Sequence, residues 1–113
     1  MYKENEKEGG IMLSYEEQVE MVEYIAKAYR RALRRMDISR IVGEGNEDLD
    51  SDKKYVYVID RTIEDCSPDT RHVIVNEFLH KSNPQWYRGY FSKSRFYKVK
   101  RDAVAEFLHC LSV

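Results

Sequence analysis

Cysteine, proline, glycine and tryptophan are all sparse in this 113-residue sequence, with two Cys, two Pro, five Gly and one Trp. The two cysteines, Cys66 and Cys110, belong to no CxxC or Cys/His spacing, so nothing marks a zinc site or a thioredoxin-like redox pair. Both fall on apolar stripes, where a free thiol behaves as a small buried hydrophobe, and the pattern neither requires nor forbids a disulfide between them. No glycine-rich phosphate loop is present. His72, His80 and His109 are scattered, with no Asp, Ser or Cys at a spacing that builds a shared site. Glu64 and Asp65 are adjacent and would diverge on a helix, so they make no acid/base pair. No enzymatic activity, cofactor or metal is therefore expected. No apolar run is long enough to cross a bilayer and no signal-peptide core is recognisable, so the expectation is a cytoplasmic protein without a membrane partner.

What the chain does contain is charge, unevenly placed. Apolar residues make up 42% of the sequence, enough at this length for one compact core. The formal net charge of −1 conceals an asymmetry. Residues 1–50 carry 8 Lys/Arg against 12 Asp/Glu, and residues 51–113 carry 11 against 8. Between Glu77 and Asp102 there are seven basic residues (Lys81, Arg88, Lys93, Arg95, Lys98, Lys100, Arg101) and no acidic one.

The periodicity is helical throughout. Residues 1–12 are polar and interrupted by Gly9-Gly10, and read as a flexible arm. Ser14 followed by Glu17 forms a capping-box pattern, after which Val19, Val22, Ala26, Tyr29, Leu33 and Met36 recur at helical spacing. This predicts an amphipathic helix over about 14–37, acidic early and basic late, as the helix dipole favours. Met21, Tyr24 and Ile25 widen its apolar stripe and suggest a homodimer contact or a broader core. Residues 38–53 hold Gly43, Gly45 and the acids Glu44, Glu47, Asp48, Asp50 and Asp52, and read as a solvated acidic linker without the ligand positions of an EF-hand. Tyr55 to Ile59 has strand-like composition, yet Val56, Ile59, Ile63 and Cys66 keep a spacing of three to four, so a helix is expected. Ser67-Pro68 and Asn83-Pro84 each place a cap residue before Pro at the first helical position. The second opens a short helix of about two turns through Trp86 and Tyr87, with Gly89 closing it in a left-handed turn. Ser92 caps a final helix whose stripe is Phe96, Val99, Ala103, Phe107 and Cys110. The sum is an all-α domain over 13–113, with a C-terminal tri-helical helix-turn-helix unit over 54–113.

A short helix, a turn at Gly89 and a capped helix from Ser92 follow the order of a helix-turn-helix, whose second helix offers its N-terminal residues to the major groove. Lys93, Arg95, Lys98, Lys100 and Arg101 suit phosphates or guanine edges, and Ser92 and Ser94 suit phosphate at the helix start. Tyr97 suits a phosphate or a thymine methyl, and Arg88 lies alongside. The stretch Ile59-Asp60-Arg61-Thr62-Ile63-Glu64-Asp65-Cys66-Ser67-Pro68-Asp69-Thr70-Arg71 resembles the start of sigma-factor region 4. The segment from Phe91 to Val104, reading FSKSRFYKVKRDAV, is similar to the recognition helix of phage ArpU-type regulators. The resemblance covers about residues 56–111. It implies a DNA-binding module acting in transcription, and matched residue by residue it points to Ser92, Lys93, Ser94, Arg95, Tyr97, Lys98 and Arg101. A second expectation, from a different class, is a sigma-like interaction module that grips RNA polymerase or another regulator without touching DNA. The competing structural reading makes the basic helix a solubility device and the cluster Trp86, Tyr87, Tyr90, Phe91 and Phe96 part of the core.

Overall fold

The computed structural model describes residues 13–43, 47–81 and 83–112, and every regular element among them is helical. Helix α1 spans Tyr15–Val42, α2 spans Glu47–Asp65, α3 spans Pro68–Val73 and runs on as a π-helix over Ile74–Leu79, and α4 spans Lys93–Leu111. The expected arm over 1–12 lies outside the described residues.

Helix α1 begins at the anticipated capping box. Ser14 Oγ accepts the Glu17 backbone N–H at 3.1 Å, and the Glu17 carboxylate accepts the Ser14 N–H at 2.9 Å. The helix ends at Gly43, whose φ of 79° is the left-handed conformation that a glycine adopts without a Cβ penalty, and whose N–H bonds the Ser39 carbonyl at 2.8 Å.

The expected linker over 38–53 is corrected here, because α1 continues to Val42 and α2 has already begun at Glu47. Two forces favour helix over solvated coil in this stretch. Asp50 falls at the end of the first turn of α2, where negative charge opposes the helix dipole favourably. Asp52 is moreover buried, accepting two hydrogen bonds from the Arg35 guanidinium at 2.7 and 2.8 Å. Together with Tyr29 Oη donating to Asp60 at 2.7 Å and Tyr55 Oη donating to the Ile25 carbonyl at 3.1 Å, this contact aligns α1 and α2 as an antiparallel pair. The Tyr55 to Ile59 segment is helical, as its spacing through Cys66 predicts.

One core joins all of these elements. Val22, Ala26 and Ala32 of α1 meet Ile59 of α2, Val73 and Phe78 of α3 and its π-helical continuation, and Ala103, Val104 and Phe107 of α4. The π-helix closes with the His80 N–H on the Val75 carbonyl at 2.8 Å, and the Arg30 guanidinium donates to its Phe78 carbonyl. Arg30 thereby supplies a partner for a backbone oxygen that the wide helical turn exposes.

The connection between the π-helix and α4 differs from the expectation in two ways. The short helix of about two turns is a single 3-10 turn over Trp86–Gly89. Gly89 does not take the left-handed conformation, and Gly43 is the one residue with positive φ among those described. The turn closes instead through the Tyr90 and Phe91 N–H groups, both on the Tyr87 carbonyl at 2.9 Å. Aromatic packing makes a tighter device unnecessary: Tyr87 stacks on Phe96 of α4 with centroids 4.1 Å apart, and Trp86 meets Phe96 edge-on at 5.6 Å.

Candidate nucleic-acid interface

Helix α4 starts where Ser92 leaves extended backbone, and Ser92 Oγ accepts the Arg95 N–H at 3.2 Å. Its buried face carries Phe96, Val99, Ala103, Val104 and Phe107. By the helical period, the opposite face presents Ser94, Lys98, Arg101 and Ala105 in one stripe, flanked by Arg95 and Asp102 on one edge and Tyr97 on the other. Ser92, Lys93, Ser94, Arg95, Tyr97, Lys98 and Arg101 are all exposed, as is Arg88 on the neighbouring 3-10 turn. Tyr97 is 56% exposed, far too open to be a core residue.

The basic residues divide into three kinds. Arg88, Lys93, Arg95 and Lys98 have no ion-pair partner among the described residues. Arg101 lies over the Tyr15 ring with its guanidinium carbon 4.7 Å from the centroid, which draws it toward α1 and away from the first turn. Lys100, the remaining member of the run on this helix, turns inward. Its Nζ pairs with Glu77 at 3.0 Å and sits 5.6 Å from the Phe78 centroid.

Glu77 is the residue that sequence reasoning overlooked. One carboxylate oxygen takes Lys100 and the other accepts the Trp86 indole N–H at 2.8 Å, so a single side chain ties the π-helix to the 3-10 turn and to α4. Its position at the acidic border of the basic run was the available signal. Glu106 plays a comparable part at the other end of α4. It accepts the Ser67 N–H and the Ser67 hydroxyl, both at 2.9 Å, and the Thr70 hydroxyl. Ser67 occupies the N-cap position of α3 as predicted, but its side chain makes no cap bond; Glu106 fills that role from across the fold. The Thr70 hydroxyl, followed by the Ser67 backbone and side chain, holds the Glu106 carboxyl below the usual carboxylate range against the opposing effect of burial.

A groove of about 240 Å³ runs between the start of α3 and the outer edge of α4, with Arg95 and Lys98 on one side and Asp69, Asp102 and Glu106 among its walls. The positive stripe on α4 is therefore bordered by carboxylates toward α3. A second basic surface lies on α1, where Lys27, Arg31 and Arg34 are exposed beside Tyr24, itself 76% exposed. No family model, no characterised protein and no solved structure matches this chain. The site itself consists of exposed cations, a phenol and hydroxyls around a helix start.

Proposed function

We propose that this chain is a DNA-binding transcriptional regulator. In this reading the C-terminal unit over residues 54–113 docks through α4, the helix that enters the major groove, and the single 3-10 turn over Trp86–Gly89 stands where a helix-turn-helix carries its first helix. The observation that carries it is the set Arg88, Lys93, Arg95 and Lys98, exposed and without ion-pair partners among the described residues, clustered on and beside the capped start of α4. Cations without an ion-pair partner remain available to phosphate, and each contact releases condensed counterion. The Lys93 and Ser94 N–H groups belong to the first turn, where a helix offers donors to an anion. The Ser92 hydroxyl, although its oxygen caps Arg95, keeps its proton to donate to phosphate. Arg95 and Lys98 stand one turn apart, placed for guanine edges or for the backbone across the groove.

A fluorescence-anisotropy titration with a labelled random duplex tests the reading. Arg95→Ala and Lys98→Ala should each weaken binding by about 3- to 10-fold at low salt, the loss of one phosphate or base contact. A chain that fails to bind duplex at low salt would overturn it.

The carboxylates Asp69, Asp102 and Glu106 beside Arg95 and Lys98 favour a second reading, in which this mixed-charge edge grips RNA polymerase or another regulator. Trp86 reports on both cases because it opens the 3-10 turn and packs edge-on against Phe96 of α4. Its fluorescence should shift on adding polymerase and not duplex if the second reading holds, and on adding duplex if the first does.

A further inference from the structure

The chain has only two cysteines, and the fold brings both to one place. Cys66 at the end of α2 and Cys110 in the last turns of α4 are separated by 44 positions in sequence, yet their sulfurs lie no more than 4.8 Å apart. Both are free thiols. Cys66 is buried, 4% exposed, with its thiol donating to the Thr62 carbonyl at 3.2 Å, and Cys110 is half-buried. The Glu106 carboxylate belongs to the same cluster, but both its oxygens already accept hydrogen bonds from Ser67 and Thr70, which commits it to capping α3. That leaves two neighbouring sulfurs and, among the described residues, no third ligand atom beside them that is not already hydrogen-bonded within the fold.

We propose that Cys66 and Cys110 are a redox pair that closes into an intramolecular disulfide, fastening the end of α2 to the C-terminal turns of α4. Cys110 is the thiol that meets an oxidant first, because it is the more accessible. Its thiolate attacks one sulfur of a small-molecule disulfide such as oxidised glutathione, forming a mixed disulfide and expelling one glutathione thiolate. The Cys66 thiol then gives its proton to solvent and attacks the Cys110 sulfur, expelling the second glutathione. The protein dithiol is oxidised by two electrons and the glutathione disulfide is reduced to two thiols. Burial, reinforced by the neighbouring Cys110 and Glu106, pushes the Cys66 thiol up to about 12, so the second step is the slow one. The bond closes a long loop and crosses between two elements of the core, so its entropic effect falls on the unfolded chain. It sits at the opposite end of α4 from Arg95 and Lys98, and does not depend on what that surface binds.

The test incubates the full chain with oxidised glutathione at mildly alkaline pH, quenches with N-ethylmaleimide under denaturing conditions so that both thiols are reachable, and reads the intact mass. The expected product is a monomer lighter by about 2 Da than the reduced chain, carrying no maleimide, with a thermal midpoint raised by roughly 10 °C. Reduction should restore two alkylatable thiols. Cys110→Ser should yield a chain that cannot form the bond and takes maleimide at Cys66 only after unfolding. Cys66→Ala tests the partner independently, leaving glutathione as a stable adduct on Cys110. Persistence of two alkylated thiols, a stable glutathione adduct on the unmodified sequence, or a disulfide-linked dimer would each overturn the proposal.

Discussion

Single side chains hold this fold at its joints, and Asp52 is the clearest case. It is 6% exposed, and its carboxylate receives a two-point contact from Arg35. The Arg35 hydrogen bonds hold its pKa below the ordinary value of 3.8, with burial acting in the opposite sense. A depressed folded pKa means that the stabilisation is fully present above the unfolded value and is lost as pH falls through the folded one. Asp52→Asn should therefore lower the unfolding free energy in urea by about 1 kcal/mol at neutral pH, a figure kept small because Arg35 is half exposed. The difference between the two chains should shrink below about pH 4 as the wild-type carboxylate protonates. A difference that stays constant down to pH 2 would show that the ion pair is not what Asp52 contributes.

At the scale of elements, the glycines separate what is local from what is tertiary. Gly43 ends α1 at positive φ, whereas Gly89 ends a 3-10 turn at negative φ, and a Cβ would meet no neighbour at either position. Gly43→Ala should cost about 1 kcal/mol from left-handed strain alone. Gly89→Ala should be neutral or slightly stabilising, because it removes unfolded-state freedom without strain. Parallel urea titrations of the two variants decide the matter, and equal losses would contradict the geometry. This contrast also marks how much of the fold could be read from sequence. The Ser14 capping box, the Ser92 cap and the 3.6-residue stripes are local signals, so α1, α4 and the part of α2 beyond residue 53 were visible in them. The strand-like Tyr55 to Ile59 segment yielded to its neighbours at Ile63 and Cys66. The acidic stretch over 38–53 misled because Asp52 has a partner 17 positions away, which no local pattern records. Gly89 misled for a similar reason, since ring stacking between Tyr87 and Phe96 does the work assigned to a left-handed turn.

At the scale of the whole molecule, one core underlies both the fold and the surface proposed to function. Phe107 is fully buried among residues from every helix, and Phe107→Ala should cost about 3–5 kcal/mol, enough to broaden or abolish the cooperative thermal transition. The candidate site was only partly legible in sequence. The exposed placement of Ser92, Lys93, Ser94, Arg95, Tyr97 and Lys98 follows directly from helical phase, but the withdrawal of Lys100 onto Glu77 and of Arg101 onto Tyr15 depends on elements far away in the chain. The proposed contact surface is correspondingly narrower than the run of seven basic residues. It centres on Arg88, Lys93, Arg95 and Lys98.

The central claim is that these unpaired cations meet DNA phosphates, and the salt dependence of duplex binding measures that most directly. With about four phosphate contacts, the logarithm of the association constant should fall against the logarithm of salt concentration with a slope of about −3 to −4. In the Arg95→Ala/Lys98→Ala double variant the slope should become shallower by about two contacts' worth. A slope near zero, or one that the double variant leaves unchanged, would contradict the account.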